Sequence, residues 1–118
     1  MATLRCPIRL DSMDGRQSLR LDALVDTGSF FTTVPASLLR ELGVVPIEKI
    51  GFELADRKRV VKEIGEARAT IDERSTATLV VFGEEDADPV LGRYTLAGLR
   101  LSVDPVEETL VPTPYARA

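Results

Sequence analysis

The chain has 118 residues, 44% of them hydrophobic, and a formal net charge of −4, which suits one compact domain over residues 1–118 with no second core. The negative charge argues against a nucleic-acid surface, because phosphate contacts need a clustered basic face. No apolar run approaches the roughly 18 residues of a membrane span, and the N-terminus lacks the apolar stretch of a signal peptide, so we expect a cytoplasmic protein with neither membrane nor nucleic-acid partners.

The first two predicted elements are strands that form a hairpin. Residues 4–10 alternate apolar with other side chains, and residues 19–25 do the same. Asp14 and Gly15 lie between them in a polar stretch that is typical of a turn. The lone Cys6 cannot form an internal disulfide, and its place in the alternation predicts a small buried side chain.

A helix and a long hairpin are predicted next. Pro35 suits a first helical turn, the three leucines at 38, 39 and 42 share one face, and Gly43 is the residue expected beyond the helix end. Residues 47–55 and 60–71 are separated by a charged stretch, and their composition predicts a long hairpin.

The last third of the chain is also predominantly β in character. Residues 76–82 form a β-rich run, and residues 84–89 form an acidic loop whose spacing does not match a calcium-binding hand. A short turn or helix around residues 94–98, a strand over residues 99–103 and a tail containing Leu110-Val111 follow. Many short strands with few helices predict a mainly β, barrel-like protein.

The chain contains no histidine and a single cysteine. Ser-His-Asp and Cys-His catalysis therefore lack their base, and a zinc site lacks its commonest nitrogen ligand. We expect no metal and no cofactor, so carboxylates, lysines or tyrosines must carry any enzyme chemistry.

Two segments carry a specific signal: ALVDTGS at residues 23–29 and PVLGR at residues 89–93. Together they resemble the retroviral-type (retropepsin-like) aspartic proteases, including bacterial and archaeal relatives, in motif, order and spacing. The resemblance covers residues 4–111. It implies a single-domain, retropepsin-like closed β-barrel with a flap hairpin and one or two short helices, acting as a homodimer on a polypeptide substrate.

The resemblance implies a role for each residue of the first motif. Asp26 would supply one carboxylate of a catalytic pair, and Thr27 would hydrogen-bond across the two-fold axis. Gly28 would let the substrate backbone approach, and Ser29 would donate a hydrogen bond to Asp26. Alone, an Asp-Thr-Gly triplet is usually a turn after a strand, and Ser29 alone suits a solvent-facing turn.

The second motif and the hairpin between the two motifs complete the expected site. Val90, Leu91 and Gly92 would pass beneath the Asp26 loop, although by themselves they suit a buried strand end. Residues 50–64 would form the flap. Its tip, formed by Asp56, Arg57, Lys58 and Arg59, lacks the glycines of the familiar flap.

The sequence departs from the resembled family at two further places. Phe30 and Phe31 stand where an aspartate commonly pairs with the arginine of the Gly-Arg motif, so Arg93 lacks that partner. The phenylalanines line apolar subsites or fill the core, and the core is favoured for at least one. Pro112 and Pro114 interrupt the tail, which leaves open whether residues 3–5 and Leu110-Val111 build an interleaved terminal sheet.

Because the chain holds one Asp-Thr-Gly triplet, the second carboxylate must come from another copy. The leading hypothesis is a homodimeric aspartic endopeptidase. The alternative is a non-catalytic, protease-like dimeric module that binds peptides. A weaker hypothesis is a structural β-domain in which the triplet is only a turn.

Overall fold

The computed structural model describes residues 4–114, which form nine strands and two short helices. The strands are β1 (Arg5–Asp11), β2 (Ser18–Val25), β3 (Thr32–Pro35), β4 (Glu48–Glu53), β5 (Arg59–Ile71), β6 (Arg74–Gly83), β7 (Val90–Leu91), β8 (Leu101–Asp104) and β9 (Thr109–Pro112). The helices are α1 (Ala36–Glu41) and α2 (Arg93–Leu99), and within the described range neither has the length and apolar character needed to cross a membrane. The predicted mainly β fold with short helices is confirmed.

Seven strands form one sheet that closes on itself. Their order is β1-β2-β7-β3-β6-β5-β4. An additional antiparallel pairing joins residues 9–11 of β1 to residues 68–70 of β5. Because β1 and β5 stand near opposite ends of the order, this pairing closes the sheet into a barrel and leaves β4 outside it as an edge strand.

The barrel interior is filled by side chains from alternating strand positions. In β1, Cys6, Ile8 and Leu10 are buried, whereas the residues between them are exposed. This alternation is the two-residue period of a strand with one face on the core. Leu39 of α1 and Leu99 of α2 join the same cluster and have no exposed surface. The prediction of a buried Cys6 is confirmed.

Two glycine turns have the geometry that their sequences predict. Gly15 adopts a φ of 74° and donates its N–H to the Ser12 carbonyl over 2.9 Å. Gly43 adopts a φ of 85° just beyond α1 and donates its N–H to the Arg40 carbonyl over 2.9 Å. Left-handed backbone at these positions favours glycine because it has no Cβ.

Two predicted element boundaries are wrong. Pro35 is the last residue of β3 and has an extended ψ of 134°, so α1 begins at Ala36 instead. Parallel pairing of β3 with β6 holds Pro35 in the sheet. Leu99 ends α2 rather than starting a strand, because Arg100 adopts a left-handed conformation with a φ of 60° and terminates the helix.

The last two strands form a separate antiparallel hairpin. It runs from the pair Leu101 and Pro112 to the pair Asp104 and Thr109, with a four-residue turn between. Among residues 4–114 it shares no ladder with the seven-stranded sheet. Pro112 lies at the end of β9, where a missing N–H is tolerated. The predicted contribution of Thr3 to a terminal sheet lies outside the described residues.

Candidate active site

Asp26 is the first residue after β2, at a point where two chain segments run parallel. Leu24 and Val25 pair with Val90 and Leu91 of β7. The N–H of Asp26 continues this ladder by donating to the Leu91 carbonyl over 3.1 Å. The structure therefore places the second motif directly beside the first, and the strand pair holds the backbone of Asp26.

Residues 26–29, here called the Asp26 loop, form a tight turn around the carboxylate. The Gly28 N–H donates to Asp26 Oδ1 over 2.9 Å, and the Ser29 hydroxyl donates to Oδ2 over 3.2 Å. The Ser29 N–H donates to the Asp26 carbonyl over 3.1 Å. A Cβ on Gly28 would lie 3.1 Å from Oδ1. The loop thus fixes both carboxylate oxygens while Asp26 stays exposed to solvent.

Gly92 lies so close to the segment after the loop that a side chain has no space. A Cβ there would lie 2.5 Å from the Phe31 carbonyl carbon and 2.8 Å from the Phe30 carbonyl oxygen. These distances are below any normal contact, so a larger residue would push the two segments apart. The buried N–H of Gly92 donates to the Thr32 hydroxyl over 3.1 Å.

A buried chain of three threonine hydroxyls supports the close packing of Gly92 against the segment after the loop. Thr95 Oγ1 of α2 lies 2.6 Å from Thr32 Oγ1 and 2.8 Å from Thr78 Oγ1. All three side chains are buried, so each hydroxyl depends on the others for its hydrogen bonds. Sequence reasoning missed these residues. The available signal was weak: each threonine lies in a strand or helix with an apolar residue next to it in the sequence.

The N-terminus of α2 holds the far side of the Asp26 loop. The N–H groups of Arg93 and Tyr94 donate to the carbonyls of Ser29 and Phe30, each over 2.9 Å. The first N–H groups of a helix have no partner within the helix, and here the last residue of the loop and the residue after it supply the acceptors. The guanidinium of Arg93 lies 5.2 Å from the centre of the Phe30 ring, a cation–π contact.

A cleft of about 980 Å³ separates the Asp26 loop from the hairpin of β4 and β5, here called the flap hairpin. Gly28 and Ser29 line it on one side, and Ile50 and Phe52 line it on the other. The rings of Phe31 and Phe52 meet edge to face across the cleft at 5.8 Å. The cleft is therefore mostly apolar, and it borders the Asp26 loop at Gly28 and Ser29.

The expectation that Phe30 or Phe31 fills the core is wrong. Phe30 is 45% exposed and Phe31 is half-buried, and both line the cleft. Their rings lie 4.9 Å apart, and Tyr94 lies 5.4 Å from Phe30. The close packing of Gly92 against the backbone of Phe30 and Phe31 holds both residues at the surface. There they form an aromatic wall beside the Asp26 loop.

The flap hairpin ends in an exposed turn that contains the predicted tip. The N–H of Arg57 donates to the Leu54 carbonyl and that of Leu54 to the Lys58 carbonyl, each over 2.8 Å. Asp56 accepts the Lys58 N–H over 3.0 Å, and Arg57 has a φ of 67°. Arg59 is already the first residue of β5. The Asp56 side chain thus stabilises a turn in which glycine would be the usual residue at the Arg57 position.

Charged residues connect the flap hairpin to the loop after β6. Lys62 of β5 hydrogen-bonds to Glu84, and both line the cleft. This hydrogen bond and the charge of Lys62 lower the pKa of the Glu84 carboxyl below its ordinary value. No metal-binding group of three His, Cys, Asp or Glu side chains occurs in the described part of the chain.

Solved structures of retroviral proteases resemble this chain over most of its length. A Simian Foamy Virus (mac) protease is 15% identical, with a TM-score of 0.53, over 77% of this chain and 91% of that chain. The EIAV protease complexed with the inhibitor HBY-793 is 18% identical, with a TM-score of 0.57, over 83% and 88% of the two chains. A foamy viral protease-reverse transcriptase in complex with an RNA/DNA hybrid is 17% identical, with a TM-score of 0.58, over 89% of this chain and 14% of that one.

No family model matches the sequence, and no curated protein matches it. The likeness is therefore one of structure. It extends over most of the chain, and it agrees with the resemblance read from the two motifs. The chain has the fold of the retroviral proteases, a retropepsin-like β-barrel.

Proposed function

We propose that the protein is a homodimeric aspartic endopeptidase in which the Asp26 residues of two subunits form the catalytic pair. The observation that carries this proposal is the presentation of Asp26: an exposed carboxylate, hydrogen-bonded through both oxygens by its own loop, at the edge of an apolar cleft. A turn aspartate in a purely structural domain needs no such cleft.

The second carboxylate comes from another copy of the chain. Within residues 4–114, the groups that hydrogen-bond to the Asp26 carboxylate are the Gly28 N–H and the Ser29 hydroxyl, and neither is an acid. One subunit therefore holds half of a carboxylate pair. A two-fold axis close to the Asp26 loop supplies the other half and makes the contact isologous.

The two carboxylates activate a water molecule held between them. The ionised carboxylate accepts a proton from the water as it attacks the peptide carbonyl, and the protonated carboxylate donates to the carbonyl oxygen. Two adjacent carboxylates do not ionise together readily, so they share one proton over a range of pH, as in other aspartic proteases. Gly28 and Ser29 orient the carboxylate for this task because each donates a hydrogen bond to one of its oxygens.

The cleft suits an extended polypeptide substrate. Its walls carry Phe31, Ile50 and Phe52, which fit apolar side chains near the scissile bond. β4 is an edge strand, so its free backbone groups are available to pair with a substrate strand. The flap hairpin covers this strand of substrate and excludes water from the site.

Incubation of wild type and Asp26→Asn with a denatured protein tests the proposal. We expect wild type to release discrete fragments and Asp26→Asn to lose at least about 100-fold in rate, because the change removes the proton-transfer group and keeps its shape. Mixed dimers of the two chains should also be inactive. Asp72→Asn, in the exposed turn between β5 and β6, is the matched control and should cleave like wild type.

Each result has one interpretation. Fragment release that persists in Asp26→Asn would reject Asp26 as the catalytic acid. Binding of the denatured protein without cleavage by wild type would instead identify a non-catalytic peptide-binding module. Isothermal titration with an uncleaved apolar peptide separates that module from a chain that binds no peptide at all.

A further inference from the structure

A pocket of about 350 Å³ opens on the outside of the barrel, where β1 and β5 separate. The ladder between these strands ends at the pair Arg9 and Thr70. Beyond this pair, residues 6–8 and residues 71–72 line the pocket from its two sides and do not pair with each other. We call it the seam pocket. It shares no lining residue of the described chain with the cleft beside the Asp26 loop.

Two arginines that stand opposite each other border the seam pocket. Arg9 of β1 and Arg20 of β2 are register partners, and both are exposed. Like charges directly opposite each other on neighbouring strands are destabilising. Within residues 4–114, Arg20 forms no salt bridge, and Arg9 donates only through Nε, to Asp11 over 3.2 Å. The other guanidinium N–H groups can therefore bind an anion, which would offset the repulsion.

A buried hydroxyl lies beside the two arginines. Thr70 is the register partner of Arg9 on the other side of β1, so both side chains point to the same face of the sheet. Thr70 Oγ1 is buried and has no hydrogen-bond partner in the described part of the chain. Buried hydroxyls are normally hydrogen-bonded, because an unpaired one loses its contact with water without compensation. Since Thr70 lines the seam pocket, a bound ligand can supply the missing partner.

The floor of the seam pocket consists of residues with apolar side chains. Cys6, Ile8 and Ile71 line it and are almost completely buried. Burial, followed by the charges of Asp72 and Asp22, raises the pKa of the Cys6 thiol above its ordinary value, so the thiol stays neutral. Among the described residues, Asp72 is the one acidic residue that lines the pocket, against two arginines. The pocket thus combines an excess of positive charge with an apolar floor.

We infer that the seam pocket binds a small organic anion whose oxyanion group lies between the guanidinium groups of Arg9 and Arg20. Guanidinium groups donate pairs of N–H groups to phosphate or carboxylate, and the Thr70 hydroxyl is a further donor. The apolar part of the anion then packs on the floor. The inference does not depend on the proposed function, because no residue of the Asp26 loop lines this pocket.

Titration with simple anions tests the inference. Isothermal titration at constant ionic strength should show that phenyl phosphate and benzoate each bind at a single site on the wild-type chain. Inorganic phosphate should bind at least about 3-fold more weakly than phenyl phosphate, because it has no apolar part to bury. Benzyl alcohol, which lacks the charge, should not bind measurably. In amide NMR spectra, phenyl phosphate should shift the signals of residues 8–9 and 70–72.

Substitutions in the seam pocket assign the contacts. We expect Arg20→Gln to weaken phenyl phosphate binding at least about 10-fold, because it removes a charge-assisted hydrogen bond. Thr70→Val should weaken binding about 3-fold or more, whereas Thr70→Ser keeps the hydroxyl and should bind like wild type. Asp72→Asn removes the like charge and should bind at least as tightly as wild type. Arg40→Gln, at an exposed position of α1, is the matched control and should leave the affinity unchanged.

Each outcome supports or overturns the inference. Wild type that binds neither organic anion would overturn it, as would equal losses in Arg20→Gln and Arg40→Gln, which would assign binding to overall charge. Phosphate that binds as tightly as phenyl phosphate would overturn an organic ligand. Amide shifts at residues 26–31 alone would place the anion in the cleft instead. Thermal melts without ligand show which variants are folded, and Arg20→Gln decides the matter if Thr70→Val does not fold.

Discussion

The Ser29 hydroxyl donates a hydrogen bond to Oδ2 of Asp26 over 3.2 Å, whereas the Gly28 N–H donates to the other carboxylate oxygen. Two donors on different oxygens fix the orientation of the carboxylate. In the proposed pair, that orientation positions the carboxylate against the water molecule that it activates. The hydroxyl therefore bears on the rate of the chemical step.

We expect Ser29→Ala to lower kcat for peptide cleavage by roughly 10-fold, with KM close to wild type. The reason is that loss of the donor frees one oxygen of the carboxylate and loosens its orientation. Steady-state rates of both proteins should be compared over a range of substrate concentrations, with dimerisation checked under the same conditions. Ser37→Ala, which removes a hydroxyl bonded to Glu85 instead, is the matched control. An unchanged kcat would make Ser29 a turn residue only.

Sequence patterns predicted the strands and the Asp26 loop because both depend on local chemistry. Alternation in residues 4–10 and 19–25 follows from one buried strand face. The Asp26 loop is stabilised locally by the 2.9 Å hydrogen bond from the Gly28 N–H to the Asp26 side chain. Closure of the sheet by β1 and β5 joins residues about 60 positions apart. No local pattern specifies that pairing.

The remaining errors have a common physical origin in tertiary context. Phe30 and Phe31 are as apolar as core residues. The packing of Gly92 against their backbone nevertheless keeps them at the cleft. Arg57 adopts left-handed backbone at a turn position where glycine is usual, because Asp56 caps the turn. Thr95 carries no sequence motif, and its role follows from which hydroxyls the fold brings together.

Contact between Phe52 of the flap hairpin and Phe31 beside the Asp26 loop predicts how firmly the flap is held. The two rings meet edge to face at 5.8 Å. We expect Phe52→Leu to weaken this contact by about 0.5–1.5 kcal/mol, because it keeps apolar bulk and removes the aromatic geometry. Hydrogen exchange of the amides in residues 50–60 should become faster, and KM for peptide cleavage should rise.

Val61→Ala is the control for that experiment. Val61 lies in the same hairpin but is 68% exposed, and it is not part of the cleft wall. Hydrogen exchange in residues 50–60 should stay close to wild type in this variant. Equal acceleration in Val61→Ala and Phe52→Leu would show that the hairpin opens without regard to the aromatic contact.

The hydrogen bond between Lys62 and Glu84 predicts a pH-dependent contribution to stability. The pKa of Glu84 is lowered in the folded chain, first by the hydrogen bond from Lys62 and then by its charge. A lowered pKa stabilises the fold above the ordinary glutamate value, and this contribution is lost as pH falls through the lowered value. We expect Lys62→Met to lower the melting temperature slightly near neutral pH, with the difference from wild type shrinking below about pH 4.

Lys49→Met is the matched control for Lys62→Met. Lys49 lies on β4 of the same hairpin and forms no salt bridge within residues 4–114. Its removal should change the melting temperature by a similar small amount at every pH. A difference between Lys62→Met and wild type that persists unchanged at low pH would assign the effect to packing of the Lys62 stem.

The buried hydroxyl of Thr95 predicts a stability loss that can be separated from packing. It links Thr32 and Thr78 over 2.6 and 2.8 Å and has no exposed surface. Thr95→Val keeps the side-chain shape and removes both hydrogen bonds, which leaves two buried hydroxyls short of a partner. We expect a loss of about 1–3 kcal/mol in the free energy of unfolding, measured by urea denaturation.

Thr70→Val is the matched substitution with the opposite expectation. The Thr70 hydroxyl oxygen is buried, and no group between residues 4 and 114 hydrogen-bonds to it. Replacing it with a methyl group removes an unsatisfied polar atom at no cost in hydrogen bonds, so stability should be unchanged or higher. Because Thr32 also accepts the Gly92 N–H, Thr95→Val should in addition reduce cleavage, whereas Thr70→Val should not. Equal destabilisation by both substitutions would mean that the threonine chain contributes only volume to the core.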